Sequence, residues 1–134
     1  AKELKAAGVK VTSVMGYRDD KTFLLDEFKA FSDTYVASED GSVGTKGNVL
    51  DAVRENGIGF DCICSCGPLP MLRAIKEFAA GKPAFISLEE RMACGVGACL
   101  GCVVKTKEVD HHSHVNNARI CTDGPVFAAS EVEI

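Results

Sequence analysis

The sequence predicts an α/β fold, with a parallel sheet covered by helices on both faces and a small β-rich module after it. Short apolar or β-branched runs alternate with amphipathic segments as far as Leu88. Strict alternation of strands and helices implies right-handed crossovers, which place the strands parallel to one another. After Leu88 a cysteine-rich loop and several short strand-like runs replace this pattern, so a separate β-rich unit is expected there.

The predicted strands of the first part are short runs bounded by glycine, proline or polar residues. They cover residues 9–15, 33–37, 60–66 and 83–88, and three more are expected at 103–106, 118–121 and 125–127. Residues 1–8 are predicted to form a short helix that ends at Gly8.

The remaining predicted helices lie between these strands. The first carries Phe23, Leu24 and Phe28 on its inward face, and the second begins near Gly47. The third opens at Pro68, where a missing N–H group costs nothing, and buries an apolar face before the next glycine.

The composition excludes several classes of function. The chain has a net charge of −4 and shows no basic stripe, so nucleic acid is not expected as a partner. No apolar run is long enough to span a bilayer, so no membrane partner is expected. No secretory leader pattern opens the sequence, and the expected location is cytoplasmic.

Four cysteines indicate a metal centre. Cys94, Cys99 and Cys102 follow a C-x4-C-x2-C pattern, and Cys121 lies further along the chain. This spacing is typical of a plant-type [2Fe–2S] cluster. The glycines between the cysteines let the loop backbone approach sulfur closely and direct N–H groups at it. The sequence therefore predicts that these four thiolates hold a [2Fe–2S] cluster for one-electron transfer.

Two other interpretations of the cysteines fit the sequence less well. A four-cysteine zinc site usually has paired C-x2-4-C knuckles in both halves, whereas the second half here has one cysteine. A disulfide framework requires an even number of cysteines and an oxidising compartment, and this chain has seven.

Cys62 and Cys64 share a strand face with Cys66, and we expect both to pack in the core.

Candidate nucleotide-binding residues lie in the loops that follow predicted strands. In parallel sheets, ligands bind at the carboxyl ends of the strands. An ordinary solvated arginine, a simple turn or a buried cysteine are the alternatives to a binding role for these residues. The candidates are Gly16, Arg18, Asp40, Gly41, Cys66, Gly67 and Pro68.

Three motifs in order resemble one family. They are DGSVGTKG, CGPLPML, and CGVGACLGC with the later CTDGPVF. Together they resemble the electron-transfer subunits of NAD-linked (type B) dihydroorotate dehydrogenases, which are ferredoxin–NADP reductase-like flavoproteins. The resemblance covers essentially the whole chain, which we expect to correspond to the C-terminal half of such a subunit.

The resemblance implies two parts. Residues 1–88 would be a Rossmann-like nicotinamide-nucleotide-binding subdomain whose first strand is absent from this chain, and residues 89–134 the [2Fe–2S] module. Cys66 would lie near the nicotinamide and the flavin ring. FAD would bind mostly outside this chain, so the chain alone is expected neither to retain FAD nor to oxidise NADH.

The resemblance also implies a function. Electrons would pass from NADH through FAD and the cluster to the FMN of a partner catalytic subunit, in a heterotetramer that serves pyrimidine (UMP) biosynthesis. The chain itself would be a non-catalytic electron-transfer subunit. The alternatives are a subunit of another NAD(P)H-linked flavoprotein reductase, of sulfhydrogenase or ferredoxin reductase type, and a zinc-stabilised binding module without redox function.

Three histidines lie between the third and fourth predicted ligands. They are His111, His112 and His114. Rieske centres use two histidines in place of two cysteines, but that pattern is not present and four cysteines suffice. We expect these histidines to lie in a hairpin loop outside the cluster.

Overall fold

The structure, a computed structural model, describes residues 1–109 and 114–134. Its contacts divide the chain into two compact units, Ala1–Gly59 and Phe60–Ile134. The helices are α1 (Lys2–Ala6), α2 (Leu25–Phe31), α3 (Val49–Glu55) and α4 (Leu69–Ala79). The strands are β1 (Thr12–Tyr17), β2 (Asp33–Ser38), β3 (Thr45–Lys46), β4 (Ile63–Cys66), β5 (Ala84–Ser87), β6 (Val103–Thr106), β7 (Asn117–Arg119), β8 (Val126–Ala128) and β9 (Val132–Glu133). Within the described residues, no helix is both long and apolar enough to cross a membrane.

The first unit is built on a three-stranded sheet in the order β1-β2-β3. Both strand pairs are parallel. The pairing of β1 with β2 was predicted, with a register from Thr12 opposite Asp33 to Tyr17 opposite Ser38, whereas β3 was not predicted as a strand. Helix α3 begins at Asn48, whose side chain accepts the N–H of Asp51 while the Asp51 carboxylate accepts the N–H of Asn48. This capping box satisfies N–H groups that the first helical turn leaves without partners.

Helix α2 differs from the prediction. None of its residues is buried, and the side chains of Phe23 and Leu24, expected to face inward, are 71% and 50% exposed. Leu24 adopts a left-handed backbone conformation and stands before the helix rather than within it. The Tyr17 hydroxyl donates to the Phe23 carbonyl at 2.7 Å, and the two rings meet edge to face. These contacts hold the segment to the sheet without burying it.

The second unit contains two three-stranded sheets. One has the order β4-β5-β8, with β4 and β5 parallel and β8 antiparallel to β5. The other has the order β7-β6-β9 and is antiparallel. Because β8 pairs with β5, the C-terminal strands pack with α4 and β5 in one unit. The structure therefore divides after Gly59, and the boundary expected after Leu88 lies inside the second unit.

The core of the second unit joins these sheets to α4. Leu72 from α4, Ile86 from β5 and Val132 from β9 are fully buried and belong to one cluster. Cys102 and Ile120 belong to the same cluster, so one predicted metal ligand and the residue before another are part of this core. The Lys76 ammonium donates to the Val132 carbonyl and links α4 to β9.

Replacing Leu72 by alanine is expected to lower the free energy of unfolding by about 2–5 kcal/mol, because the change leaves a cavity in this core. Urea unfolding followed by circular dichroism measures the loss. Leu69→Ala in the same helix is the matched control, since the Leu69 side chain is 40% exposed. We expect that control to lose less than about 1 kcal/mol. Equal losses would show that the buried face of α4 is assigned wrongly.

Candidate metal centre

The four predicted ligands lie on one loop and one hairpin of the second unit. Cys94 and Cys99 lie in the loop between β5 and β6, and Cys102 directly precedes β6. Cys121 follows β7, which pairs antiparallel with β6. The N–H of Ile120 donates to the Cys102 carbonyl at 2.9 Å, so the hairpin brings the third and fourth cysteines side by side. The pairing of β6 with β7 therefore brings Cys102 and Cys121 together although they are far apart in the sequence.

The loop directs backbone N–H groups at sulfur. The N–H of Cys99 donates to the Cys94 sulfur, and the N–H of Gly101 to the Cys99 sulfur, each at 3.4 Å. Hydrogen bonds from the N–H of Val96, and then from Cys99 and Ala98, lower the pKa of the Cys94 thiol to about 6. Donors around sulfur stabilise the thiolate, which is the form that binds metal.

The other two cysteines form a second pair. Cys102 is buried. A hydrogen bond between the two thiols is the main cause that raises the pKa of Cys121, and the burial of Cys121 raises that pKa further. The N–H of Gly97 opposes this shift by donating to the Cys121 sulfur. Among the described residues, no three or more Cys, His, Asp or Glu side chains form a group that could hold a metal ion. The structure thus brings the cysteines together in two pairs.

The donor set fits an iron–sulfur cluster better than a structural role without metal. Two observations support the fit: a thiol already poised as thiolate, and a backbone cradle of N–H groups that faces sulfur rather than carbonyl oxygen. Such N–H groups are the partners that tune sulfur ligands of iron. The assignment of Cys94, Cys99, Cys102 and Cys121 as the ligand set is a proposal.

Residues that the sequence did not single out bind the hairpin to the loop. The Asp123 carboxylate accepts the backbone N–H of Arg119 at 2.8 Å and its side-chain Nε at 3.3 Å. The Arg119 guanidinium also donates to the Gly97 carbonyl at 3.4 Å. The opposite charges four residues apart on either side of Cys121 are the sequence signal that could have indicated this pair.

Four of the candidate nucleotide-binding residues lie together in the first unit. Gly16 is within β1, and Arg18 follows that strand. The Asp40 N–H donates to the Arg18 carbonyl at 3.3 Å, so the loops after β1 and β2 meet at one edge of the sheet. The Asp40 carboxylate accepts the N–H and hydroxyl of Ser42, and these hydrogen bonds lower its pKa. Asp40 and Gly41 therefore form a tight turn, whether or not they also bind a nucleotide.

The remaining candidates lie in the second unit. Cys66 ends β4, and Gly67 and Pro68 lead into α4. The Cys66 side chain is exposed, and its sulfur lies 3.9 Å from a carboxylate oxygen of Glu89.

The expectation that Cys62 and Cys64 pack in the core is wrong. Both side chains are exposed. The strand that carries Cys64 lies at an edge of its sheet, and the pattern along that strand leaves the cysteine face uncovered. Partial desolvation of the sulfur by the protein around it, and then the neighbouring Cys62, raise the pKa of the Cys64 thiol, in contrast to Cys94.

A cavity of about 590 Å³ lies next to the second group of candidates. Gly67 and Pro68 line one side of the cavity, and Leu72 from helix α4 lines it as well. Val104 and Ile120, which lie close in sequence to predicted cysteine ligands, line another part. Five charged side chains also line the cavity, so its walls are mixed rather than apolar. The CGPLP motif and the cysteine hairpin therefore share one cavity.

The histidines are only partly described. His111 and His112 lie outside the described residues. His114 is described and has a positive φ of 56°, which places it in the left-handed region. The interpretation of these histidines as residues outside the cluster remains a prediction.

Alkylation of the metal-free chain tests whether the backbone N–H groups of the loop stabilise the Cys94 thiolate. With its pKa lowered to about 6, Cys94 is mostly thiolate at pH 7, and its reaction with iodoacetamide is expected to fall only as the pH drops through 6. Cys64, whose pKa is raised, is the internal control and is expected to react at least about tenfold more slowly at pH 7. Tandem mass spectrometry of the tryptic peptides gives both rates. Equal rates for Cys94 and Cys64 would show that the backbone N–H groups do not stabilise the Cys94 thiolate.

The chain combines a mixed α/β architecture with a cysteine loop, and that loop lies in the part of the chain that matches an iron–sulfur family. Residues 89–133 match the family described as "Iron-sulfur cluster binding domain of dihydroorotate dehydrogenase B". A solved structure described as "Insights into flavin-based electron bifurcation via the NADH-dependent reduced ferredoxin-NADP oxidoreductase structure" is 32% identical, with a TM-score of 0.80. It covers 97% of this chain, which spans 46% of that chain.

The full length of the chain matches curated relatives named "Dihydroorotate dehydrogenase B (NAD(+)), electron transfer subunit". The protein of Fusobacterium nucleatum subsp. nucleatum is 48% identical and that of Bacillus velezensis 45%, each over 100% of this chain and 51% of the relative. The chain therefore spans about half the length of the curated relatives it matches. It is a relative of these electron transfer subunits, and the resemblance predicted from its motifs is confirmed.

Proposed function

We propose that this chain is the cluster-bearing part of an electron-transfer subunit. It passes electrons from NADH, by way of FAD and a [2Fe–2S] cluster, to the FMN of a dihydroorotate dehydrogenase catalytic subunit in UMP biosynthesis. The observation that carries the proposal is the cysteine loop, whose N–H groups point at sulfur within the residues that match the iron–sulfur family. The cytoplasmic location predicted from the sequence stays a prediction.

Cys94, Cys99, Cys102 and Cys121 would hold the cluster. When bound, a [2Fe–2S] cluster supplies one-electron transfer. The N–H groups of Val96 and its neighbours in the loop stabilise negative charge on the sulfur ligands. The buried side chain of Cys102 anchors the ligand set to the core and keeps water from that side of it.

Residues 1–88 are proposed to bind the nicotinamide nucleotide in a Rossmann-like arrangement. Arg18 and Asp40 lie in the loops that follow the parallel strands β1 and β2, and ligands of parallel sheets bind at such strand ends. In the second unit, Gly67 and Pro68 open the 11-residue helix α4, whose N-terminus favours negatively charged or acceptor groups. FAD is proposed to be held mainly by residues outside this chain.

Rapid mixing tests the direction of electron flow. The anaerobically reconstituted chain is reduced, freed of reductant and mixed with the FMN-containing catalytic subunit of a dihydroorotate dehydrogenase B. The expected result is loss of the oxidised FMN absorption while the cluster absorption returns. The chain without its cluster is the control. An FMN that stays oxidised while the reduced cluster reduces ferredoxin would contradict the proposal.

A second candidate function has its own support. The similarity to the structure of an NADH-dependent ferredoxin–NADP oxidoreductase favours a subunit of another NAD(P)H-linked flavoprotein reductase. The same mixing experiment distinguishes the two, because ferredoxin in place of the catalytic subunit would then be the faster acceptor. A zinc-stabilised binding module would reduce neither.

A further inference from the structure

We propose that Arg119 is a positioning residue for the metal centre, which joins the three-cysteine loop to the hairpin that carries the fourth cysteine. The inference rests on the proposed function, since it assumes that these cysteines bind a cluster. Nothing in the sequence motifs distinguishes this arginine from an ordinary exposed one. Its contacts in the structure do.

The guanidinium of Arg119 is held in place by Asp123. The Asp123 carboxylate accepts Nε at 3.3 Å with one oxygen and Nη2 at 3.4 Å with the other. The same carboxylate accepts the backbone N–H of Arg119 at 2.8 Å. A two-pronged pair of this kind fixes the plane of the guanidinium, which a single contact to a flexible side chain does not.

The remaining nitrogen of the fork reaches the cysteine loop. Nη1 of Arg119 donates to the Gly97 carbonyl at 3.4 Å, across 22 residues of sequence. A side chain at Gly97 would lie 3.1 Å from Cγ2 of Thr122 and 3.4 Å from Arg119, so the loop and the hairpin approach each other closely at this glycine. Arg119 therefore acts between the loop and the strand end that must come together before four sulfurs can share one cluster.

The pair also sets the charge around the site. Arg119 carries a positive charge between Gly97 and Cys121, and Asp123 carries a compensating negative charge. A cation beside a cluster favours the reduced form, which is more negative by one charge. Removing the cation leaves Asp123 uncompensated, and both changes lower the reduction potential. The Arg119 and Asp123 side chains are 44% and 38% solvent-exposed, so the effect is screened and modest.

The test compares the anaerobically reconstituted wild-type chain with Arg119→Gln and Arg119→Lys. Iron loss to a chelator is expected to be about tenfold faster in Arg119→Gln, the lower end of the range for partners that orient metal ligands. The one-electron equilibrium between the oxidised and reduced cluster is expected to shift about threefold toward the oxidised form. Since a tenfold shift corresponds to about 59 mV, the reduction potential of Arg119→Gln should fall by about 28 mV. Arg119→Lys keeps the charge but not the fork, so its potential should stay near wild type while its iron loss remains fast.

The matched control is Arg54→Gln in the first unit. It breaks another exposed Arg–Asp pair, with Asp51 at 3.5 Å, and is expected to leave both readouts unchanged. If Arg119→Gln fails to fold, Asp123→Asn takes its place, with faster iron loss and a raised potential expected.

Each outcome decides a different claim. A wild-type chain that takes up no cluster overturns the proposed function and this inference together. A wild-type chain with a cluster and an Arg119→Gln variant that matches Arg54→Gln overturn this inference alone. A loss of stability in the metal-free Arg119→Gln chain, with the loaded chain's potential and iron loss unchanged, would show a merely structural residue and overturn it as well.

Discussion

The Cys99→Ser variant is expected to bind less than about a tenth of the iron and sulfide that the wild-type chain binds. Serine offers a hard oxygen that stays protonated near neutral pH, whereas iron–sulfur clusters are held by thiolates. The change also removes the sulfur that accepts the N–H of Gly101. Iron and sulfide assays after anaerobic reconstitution give the result, with the visible spectrum as a second readout.

Cys64→Ser is the matched control for that variant. The Cys64 side chain is exposed on β4, a strand outside the cysteine loop. The same substitution there is expected to leave the iron and sulfide content at the wild-type level. Equal loss from the two variants would mean that the ligand set is assigned wrongly.

The Gly97→Ala variant is expected to retain the cluster about tenfold less well, although no ligand is changed. Gly97 has a φ of +80°, and a side chain there would lie 3.1 Å from Cγ2 of Thr122 and 3.4 Å from Arg119. The left-handed backbone costs an alanine about 1–2 kcal/mol, and the crowding pushes the loop away from the hairpin. The rate of iron loss to a chelator measures retention.

Gly8→Ala separates the two causes. Gly8 has the same φ of +80°, but a side chain there would meet nothing within 4 Å. It therefore carries the backbone cost alone, and we expect a small loss of stability with unchanged cluster retention. A Gly97→Ala variant that retains iron as well as Gly8→Ala does would show that the close approach of loop and hairpin is unimportant.

The features that the sequence predicted well are local. The spacing of Cys94, Cys99 and Cys102 specifies one loop, because only a few residues separate them. The β-branched runs specify strands, and their alternation with helices specifies the parallel pairs of β1 with β2 and of β4 with β5. The motifs at Cys66 and at the cysteine loop specified the family, since each combines fixed residues at fixed spacing.

The features that the sequence did not predict depend on distant partners. The pairing of β8 with β5 joins residues about 40 apart, and no local period in either strand encodes it. For the same reason the contact boundary after Gly59 could not be found from composition. Cys62 and Cys64 were expected inside because alternation gives a shared face, but what covers that face is a property of the assembled sheet.

Arg119 was missed for a related reason. An arginine and an aspartate four residues apart are common on protein surfaces, and most such pairs contribute little. The significance of this pair comes from its third contact, the carbonyl of Gly97, which lies 22 residues away in sequence. Long-range contacts of this kind are visible only once the hairpin and the loop are built.

The sharpest test of the proposed iron–sulfur centre is the metal and sulfide content of the chain purified without oxygen. The expected result is a red-brown protein with about two irons and two inorganic sulfides per chain, and little zinc. Elemental analysis and a sulfide assay on the same sample, with the visible spectrum recorded before and after reduction, provide the comparison. A colourless chain that holds one zinc and no sulfide would show that these cysteines do not form an iron–sulfur centre.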